Sequence, residues 1–499
     1  MSGTLGEIEA MIGSTEISEI GDAALPDKLK QPEDTRPPRP QREAGTTLLL
    51  IWLVVAMTLC GYVPMLHGYP VGTSRAAILT LFTICSWAIG LFKEPLTSLM
   101  FFLFTMLFSV AAPSIVFSGF SSPAWWLVFG GMITGAAIRT TGAANQVSRL
   151  LLAMNLRGYR HYIAAVVVVS IALAFVMPST SGRVMLLTPI AMTLADRLGF
   201  EPGRPGRTGI IMAVAAASYM PPTAILPANI PNSLLLGAAQ TLYGIRLYYG
   251  PYFLLHFPVL GALKSVALIW LIGRLFPDRV ESSQTVEVPP TCMSPRERML
   301  VMLLLLSLLC YATDFWHGVS PAWVSFGAGV ICLLPQTRII SARDFAEQVQ
   351  IAPLVYVAGF LGLGALISQS GLGELTAKAL LNWTHMVQGN YSMNAMQVLL
   401  IGAGIGLLTT LPALPAVLTP LAGQLAHASG LPIYTVLMLQ VPVFSTVFLP
   451  YQSPPMMIAM HLADVSMKDG AKLCLALAAI SVLCLLPLDY FWWRILGIL

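Results

Sequence analysis

The chain has 499 residues, 56% of them hydrophobic and only 10% charged, where soluble domains carry about 25% charged residues. That composition argues against a soluble enzyme or binding module, and a net charge of +4 gives no reason to expect a nucleic-acid partner. Apolar runs such as TTLLLIWLVVAMTLCGYVPML (46–66) do not alternate, which argues against a transmembrane β-barrel, and they approach the roughly 20 residues that an apolar helix needs to cross a bilayer. The expected fold is an all-α polytopic membrane protein with about eleven transmembrane helices plus two re-entrant hairpins.

Residues 1–44 are polar and rich in Pro, Glu and Arg; they read as a disordered cytoplasmic tail, with no early apolar core of the kind a signal peptide needs. Lys28, Lys30, Arg36, Arg39 and Arg42 precede the first span near 46–66, so the N-terminus is expected inside. Residues 45–276 hold that span and a first repeat. Its helices are expected near 75–92, 96–112 and 123–139, followed by a hairpin at 162–196, a broken helix at 208–240 and a helix at 250–273. Arg139, Arg149, Arg157 and Arg160 form one basic loop, and Arg197, Arg204 and Arg207 another. The segment between them starts and ends on one side, as a re-entrant hairpin does. Two full spans joined by a tight outer turn are the alternative, but they would be short.

Residues 277–297 read as a cytoplasmic linker flanked by Arg274, Arg279, Arg296 and Arg298. Residues 298–499 form a second repeat, with helices near 298–313, 321–334 and 352–370, a hairpin at 396–428, a broken helix at 434–463 and a helix at 471–487. No Lys or Arg lies between Lys378 and Lys468, so the ends of the second hairpin, and the C-terminus, are expected outside. The halves are related: LTPIAMTLADRLG (187–199) aligns with LTPLAGQLAHASG (418–430), and WWLVFGGMITGAAIRTTG (125–142) with LVYVAGFLGLGALISQSG (354–371). Opposite charge bias around related segments indicates inverted-topology repeats, the plan of secondary transporters, with the site between the repeats at mid-membrane.

Each repeat is interrupted twice: at the tips PSTSG (178–182) and TTLPALP (409–415), and at YMPPTAILPANIPNS (219–233) and FLPYQSPP (448–455). Proline breaks helices, and non-helical backbone at membrane depth is tolerated where it is buried in protein or lines a cavity. Freed N–H groups attract anions and freed carbonyls hold cations.

FSGFSSPAWWLVFGGMITGAAI (117–138), the first hairpin with its TPIA, and the break ending IPNSLLLG resemble the divalent anion:sodium symporter family of the ion-transporter superfamily. The resemblance covers most of 46–490. It implies a homodimer in a bacterial inner (cell) membrane that moves di- and tricarboxylates or sulfate by an elevator motion. Substrate would be bound at the hairpin tips and broken helices, and no enzymatic activity is implied. Carried residue by residue, the substrate-contacting positions are Ser179, Thr180 and Ser181 at the first tip, with Gly182 and Arg183 beside them as further candidates. Asn229, Pro231 and Asn232 follow in the first break, Thr409 and Thr410 at the second tip, and Ser453, Pro454 and Pro455 in the second break. Any Na⁺ carried over would lie near Ser179, Thr180 and Thr410. The tips depart from the family's Ser-Asn-Thr pattern, reading Ser179-Thr180-Ser181 and Thr410-Leu411-Pro412. That loss of oxygen ligands puts Na⁺ coupling in doubt and opens three alternatives: a Na⁺-independent exchanger, a proton-linked carrier, or a carrier of sulfate, sulfonate or a monocarboxylate. A receptor-like homologue that binds without flux is a further alternative.

Arg183 stands where the family has a small residue. A mid-membrane charge costs about 3 kcal/mol or more if unpaired. Three roles compete: a bidentate partner for a substrate carboxylate, a fixed cation in place of a lost Na⁺, or a structural cation held by backbone carbonyls or an acid. Lys264, inside the helix at 250–273, reads as structural, His461 and Asp464 read as a solvated helix end, and most of the other histidines lie near span ends. The seven cysteines have no ligand-like spacing, no phosphate-binding GxxxxGK[ST] occurs, and no paired carboxylates or nucleophile–base set suggests catalysis. Apart from Na⁺ or H⁺ as coupling ion, no cofactor is expected.

Overall fold

The computed structural model describes residues 71–89, 92–280, 293–373, 375, 386, 389–408 and 410–499. The tail 1–44, the first span near 46–66, most of the linker and Thr409 lie outside the described residues. Among the described residues every regular element is helical and no strand occurs.

The first repeat opens with α1 (Val71–Ile89), α2 (Glu94–Leu107) and α3 (Pro123–Thr141). Local chemistry sets the start and stop of α3. The Ser122 hydroxyl accepts from the Ala124 amide at 3.3 Å, Pro123 takes the first helical position, and Gly142 ends the helix at φ +83°, a conformation glycine adopts without steric cost. The stretch read as a basic loop contains a further helix, α4 (Ala143–Ala153). Next come α5 (Tyr159–Val176), α6 (Thr180–Arg197), α7 (Pro205–Ala217) and α8 (Ile230–Tyr243). The repeat closes with one long helix made of α9 (Tyr249–His256), a π-helical segment (Phe257–Leu263) and α10 (Lys264–Leu275).

The second repeat follows the same order. It has α11 (Pro295–Ala312), α12 (Pro321–Leu333), a short α13 (Ala342–Gln348) and α14 (Ala352–Gln369). Then come α15 (Tyr391–Leu408), α16 (Leu414–Leu418), α17 (Ala422–Ser429), α18 (Ile433–Met438), α19 (Gln440–Ser445) and α20 (Pro454–Leu462). It closes with α21 (Met467–Ile480), a second π-helical segment (Ser481–Leu485) and α22 (Leu486–Ile495). Tyr159–Val176, Tyr249–Leu275, Ala352–Gln369 and Met467–Ile495 are long and apolar enough to cross a membrane.

The two repeats interlock. Helix α3 packs along α12, and α14 packs along α2. The same contact recurs in both pairs. A methyl on Gly130 would lie 2.4 Å from the Ser325 backbone, and a methyl on Gly359 would lie 2.4 Å from the Ser98 side chain. Small residues let backbones approach closely where apolar burial between helices contributes little. Ser325 adds a cross-helix bond, its hydroxyl donating to the Leu127 carbonyl at 3.0 Å.

One expectation needs correction. The two arms at 162–196 were judged short for spans, yet α5 and α6 have 18 residues each, about 27 Å at 1.5 Å per residue. Length alone therefore does not separate a hairpin from two spans.

Candidate functional site

The first tip forms where Pro178 ends α5. Met177 is extended, at φ −123° and ψ 97°, as a residue before proline tends to be. Ser179 then caps α6, its hydroxyl accepting from the Gly182 amide at 3.1 Å. A methyl on Gly182 would lie 2.9 Å from the Met177 methyl and 3.1 Å from the Ser179 hydroxyl, so the tip closes because residue 182 has no side chain. Thr180 is buried, and Ser179 and Ser181 are half-buried.

Helix α7 stops at Ser218, and the chain turns through short 3₁₀ turns at Pro221–Ala224 and Leu226–Ala228 before α8. Asn229 caps α8, its side-chain oxygen accepting from the Asn232 amide at 3.0 Å. The Asn232 amide group donates back to the carbonyls of Thr223 (3.0 Å) and Ile225 (2.7 Å). Pro231 sits in the first turn, where its missing N–H costs nothing. Asn229 and Asn232 are almost fully buried, so the break is built internally.

Arg183 joins the tip to the break. Its side chain is fully buried. One terminal nitrogen donates to the carbonyls of Met177 and Ala228, the latter at 2.9 Å. The other donates to the Ser218 carbonyl at 2.7 Å and the Thr180 hydroxyl at 3.2 Å. The guanidinium thus gathers three carbonyls freed by the breaks, one from each interrupted helix end, and holds the N-termini of α6 and α8 beside each other. Three donors and acceptors nearby are buried without a protein partner: Arg183 Nε, Asn229 Nδ2 and the Asn232 side-chain oxygen.

In the second repeat the tip is less polar. Thr410 is half-buried and its carbonyl accepts from the Ala413 amide at 2.9 Å. The 3₁₀ turn Leu411–Ala413 packs on α8, which brings this tip against the first repeat. The break runs from Thr446 to Ser453, and α20 begins at Pro454–Pro455 and packs on both α6 and α7. Ser453 is buried and its hydroxyl has no partner. Thr409 lies outside the described residues.

Gln452, to which the sequence reading gives no role, and Lys264, which it reads as structural, organise this half. The Gln452 side-chain oxygen accepts from the amides of Phe448 (2.8 Å) and Leu449 (2.9 Å), and its NH₂ donates to the Gly406 carbonyl at the end of α15. Gln452 thus ties break to tip, as Arg183 does in the first repeat; a lone amide among prolines was its only signal. Lys264 is fully buried, and its ammonium donates to the Ser445 carbonyl (2.7 Å) and hydroxyl (3.1 Å). Ser445 ends α19 as Ser218 follows α7. The carbonyl that ends the first half-helix before each break therefore accepts from a buried cationic side chain, Arg183 for Ser218 and Lys264 for Ser445, both cations coming from the first half of the chain. His461 and Asp464 are exposed. Among the described residues no three His, Cys, Asp or Glu side chains come together as metal ligands.

This geometry can be set beside known proteins. The family model described as the sodium:sulfate symporter transmembrane region matches residues 45–499. The chain belongs to this family. Symporter-family relatives agree with that. A "membrane protein" of Cupriavidus necator is 22% identical over 89% of this chain and 92% of its own length. An uncharacterised transporter of Mycobacterium tuberculosis is 26% identical over 61% of this chain and 68% of its own. The L-tartrate/succinate antiporter of Escherichia coli K12 is 27% identical over 48% of this chain and 51% of its own length. In fold the chain is similar to the YdaH transporter of Alcanivorax borkumensis, with a TM-score of 0.54, 14% identity and coverage of 86% of this chain and 99% of that one. The protein is an all-α integral membrane protein of an anion-transporter family, and its relatives are transporters and not enzymes.

Proposed function

We propose that this symporter-family chain is a Na⁺-independent secondary carrier of small organic dianions, dicarboxylates foremost, working mainly by exchange. One observation carries the reading: Arg183 holds two helix N-termini together in a buried break. Helix N-termini and guanidinium groups both favour anions. The free donors of Arg183 Nε, Asn229 Nδ2 and Ser453 Oγ are the groups a carboxylate would take up, with Ser179, Thr180, Ser181, Asn232 and Thr410 around them. Arg183 positions this site more than it clamps substrate, because both of its terminal nitrogens already serve protein oxygens.

The family's description includes sodium, but the donor set here does not fit that ion. A Na⁺ at the first tip would need the freed carbonyls, and those of Met177, Ser218 and Ala228 accept from Arg183. The matching Ser445 carbonyl accepts from Lys264. Arg183 and Lys264 thus stand as fixed cations on carbonyls that a mobile ion would otherwise use. The tartrate/succinate antiporter among the relatives supports both the substrate class and the exchange mode. Re-entrant placement of both tips, an elevator motion, a homodimer and a bacterial inner-membrane location belong to the same proposal.

The test is labelled succinate uptake into liposomes holding the purified protein. Uptake is expected to require trapped unlabelled dicarboxylate and to be unchanged when Na⁺ is replaced by K⁺. Uptake that follows an inward Na⁺ gradient and ignores internal anion overturns the reading.

A further inference from the structure

The fixed cations differ in kind. Arginine stays charged, whereas a lysine in a dry site can exchange its proton, and Lys264 sits among groups that the carrier reading does not use. Asp489 on α22 is 3% exposed and is the acid whose charge acts on Lys264. Its Oδ1 has no hydrogen-bond partner. It lines a cavity of about 260 Å³ together with Pro442, Leu439, Leu399, Tyr490 and Trp493, whereas Lys264 does not. His256 on α9 is fully buried with both ring nitrogens unpartnered, packed between Tyr252 (4.6 Å between ring centres) and Trp493 (5.6 Å). Tyr252 in turn donates to the Thr223 carbonyl of the first break at 2.8 Å.

Backbone geometry marks the same place. Lys264 immediately follows the first π segment and Asp489 lies four residues beyond the second, and the two π segments pack on each other. Such segments are rare and occur frequently at functional sites.

The remaining charged groups on the packed elements are remote or engaged. On α10 itself Arg274 is ten residues away, about 15 Å along the helix. On α5, Arg160 lies beside Gly273 and its neighbours Tyr159, His161 and Tyr162 share that end. On α7, Arg207 pairs with Asp196. On α21, Lys472 donates to the Leu275 carbonyl, Ser466 caps the helix by accepting from the Asp469 amide and donates to the Asp469 carboxylate, with Lys468 alongside, and Cys474 contacts Met456. On α9, Tyr249 stacks on Phe253, and on α22, Tyr490 bonds Ser392 and Arg494 is exposed. Of all these, Asp489 is the acid whose charge acts on Lys264, and α22, which carries it, packs on the π segment that Lys264 follows.

We infer that Lys264 and Asp489 form a proton-binding site that couples a proton to the second break. With Asp489 ionised the pair is neutral. A proton entering from the cavity adds to the carboxylate oxygen, giving a carboxylic acid beside the ammonium and a net charge of +1, the charge one Na⁺ would bring. Lys264, released from its counter-charge, is then held by Ser445 alone, which ties proton occupancy to the end of α19. This rests on the reading of the chain as an anion carrier and adds net uptake driven by a pH gradient to its exchange mode.

The experiment uses the full chain without Na⁺. Labelled succinate uptake is measured with and without an inward proton gradient, and in parallel thermal unfolding in detergent is followed from pH 5 to 9. The wild type is expected to show at least a fivefold stimulation by the gradient and a pH-dependent unfolding temperature. Asp489→Asn, which fixes the neutral acid, and Lys264→Met are expected to lose both, whereas Arg494→Gln, on the same helix but exposed and outside the cavity, keeps them. Wild-type pH dependence in Asp489→Asn by both measurements overturns the proton site. Absence of succinate flux in every protein, wild type included, counts against the dicarboxylate reading. The unfolding profiles then decide the proton site alone: a profile flattened by Asp489→Asn upholds it, and an unaltered one overturns it.

Discussion

Replacing Arg183 by glutamine tests the site most directly. The guanidinium serves the carbonyls of Met177, Ala228 and Ser218 and the Thr180 hydroxyl from a fully buried position. A buried carbonyl stripped of its donor costs about 1–3 kcal/mol. Glutamine has one NH₂ and a shorter reach, so two of the three carbonyls are left bare, a loss of about 2–6 kcal/mol. That rivals the whole stability of an ordinary domain, about 5–15 kcal/mol. Arg183→Lys should fall between, because an ammonium keeps the charge and three donors but cannot span both sides as a planar fork does. Arg183→Ala leaves the oxygens with no donor, so its unfolding temperature should rise on adding guanidinium at tens of millimolar or Na⁺, neither of which should help the wild type specifically. Thermal unfolding in detergent, paired with succinate flux, reads all three. An Arg183→Gln protein that unfolds at the wild-type temperature and transports normally would refute the argument that this side chain closes the break.

Three further outcomes follow from other contacts. Gln452→Leu removes both donors and acceptor that join break to tip, orphaning two amides and the Gly406 carbonyl; a loss of about 2–5 kcal/mol is expected, read by unfolding, together with reduced flux. Gly130→Ala and Gly359→Ala each push a methyl to 2.4 Å of a neighbouring helix, so each should lower stability by about 1–3 kcal/mol and the double variant by more than either. Burial raises the Asp278 carboxyl pKa, but bonds from Arg204 and the Arg279 and Gly206 amides outweigh it and hold it below the ordinary carboxylate range. A depressed folded value means stability present above the unfolded pKa of about 4 and lost as pH falls through the lower folded one. Asp278→Asn should therefore cost about 1–2 kcal/mol at pH 7 and progressively less as pH falls below about 4, checked by unfolding across that range.

Features marked by local chemistry were legible in the sequence. Pro178, the prolines between 221 and 231, and Pro454–Pro455 cluster where helices stop or start, so the interruptions can be placed without a structure. Charge was a weaker guide. Arg149 suggested a loop where α4 forms, because an amphipathic helix at a membrane surface carries the same residues. The π segments have no local marker, since the same apolar residues build an α-helix. Lys264 read as structural because its partner, Ser445, is 181 residues away, and no one-dimensional pattern joins them. His256 lies near a predicted span end, and its burial is set by Tyr252, one turn earlier on α9, and by Trp493 from the distant α22. Whether the tip residues Ser179 to Arg183 bind substrate is a matter for flux, but their clustering with Asn229 depends on one contact, Arg183 to the Ala228 carbonyl.

The exchange of partners between α3–α12 and α14–α2 bears on how the protein is made. Neither half can finish its own packing. Helix α2 must wait for Gly359, and α3 for Ser325, roughly 200 to 260 residues later in synthesis. At about 5–20 residues per second that is on the order of ten to fifty seconds during which the glycine faces of the first half are inserted but unmatched. A ribosome stalled between the halves would leave those faces open in the membrane, available to the unfinished chain beside it.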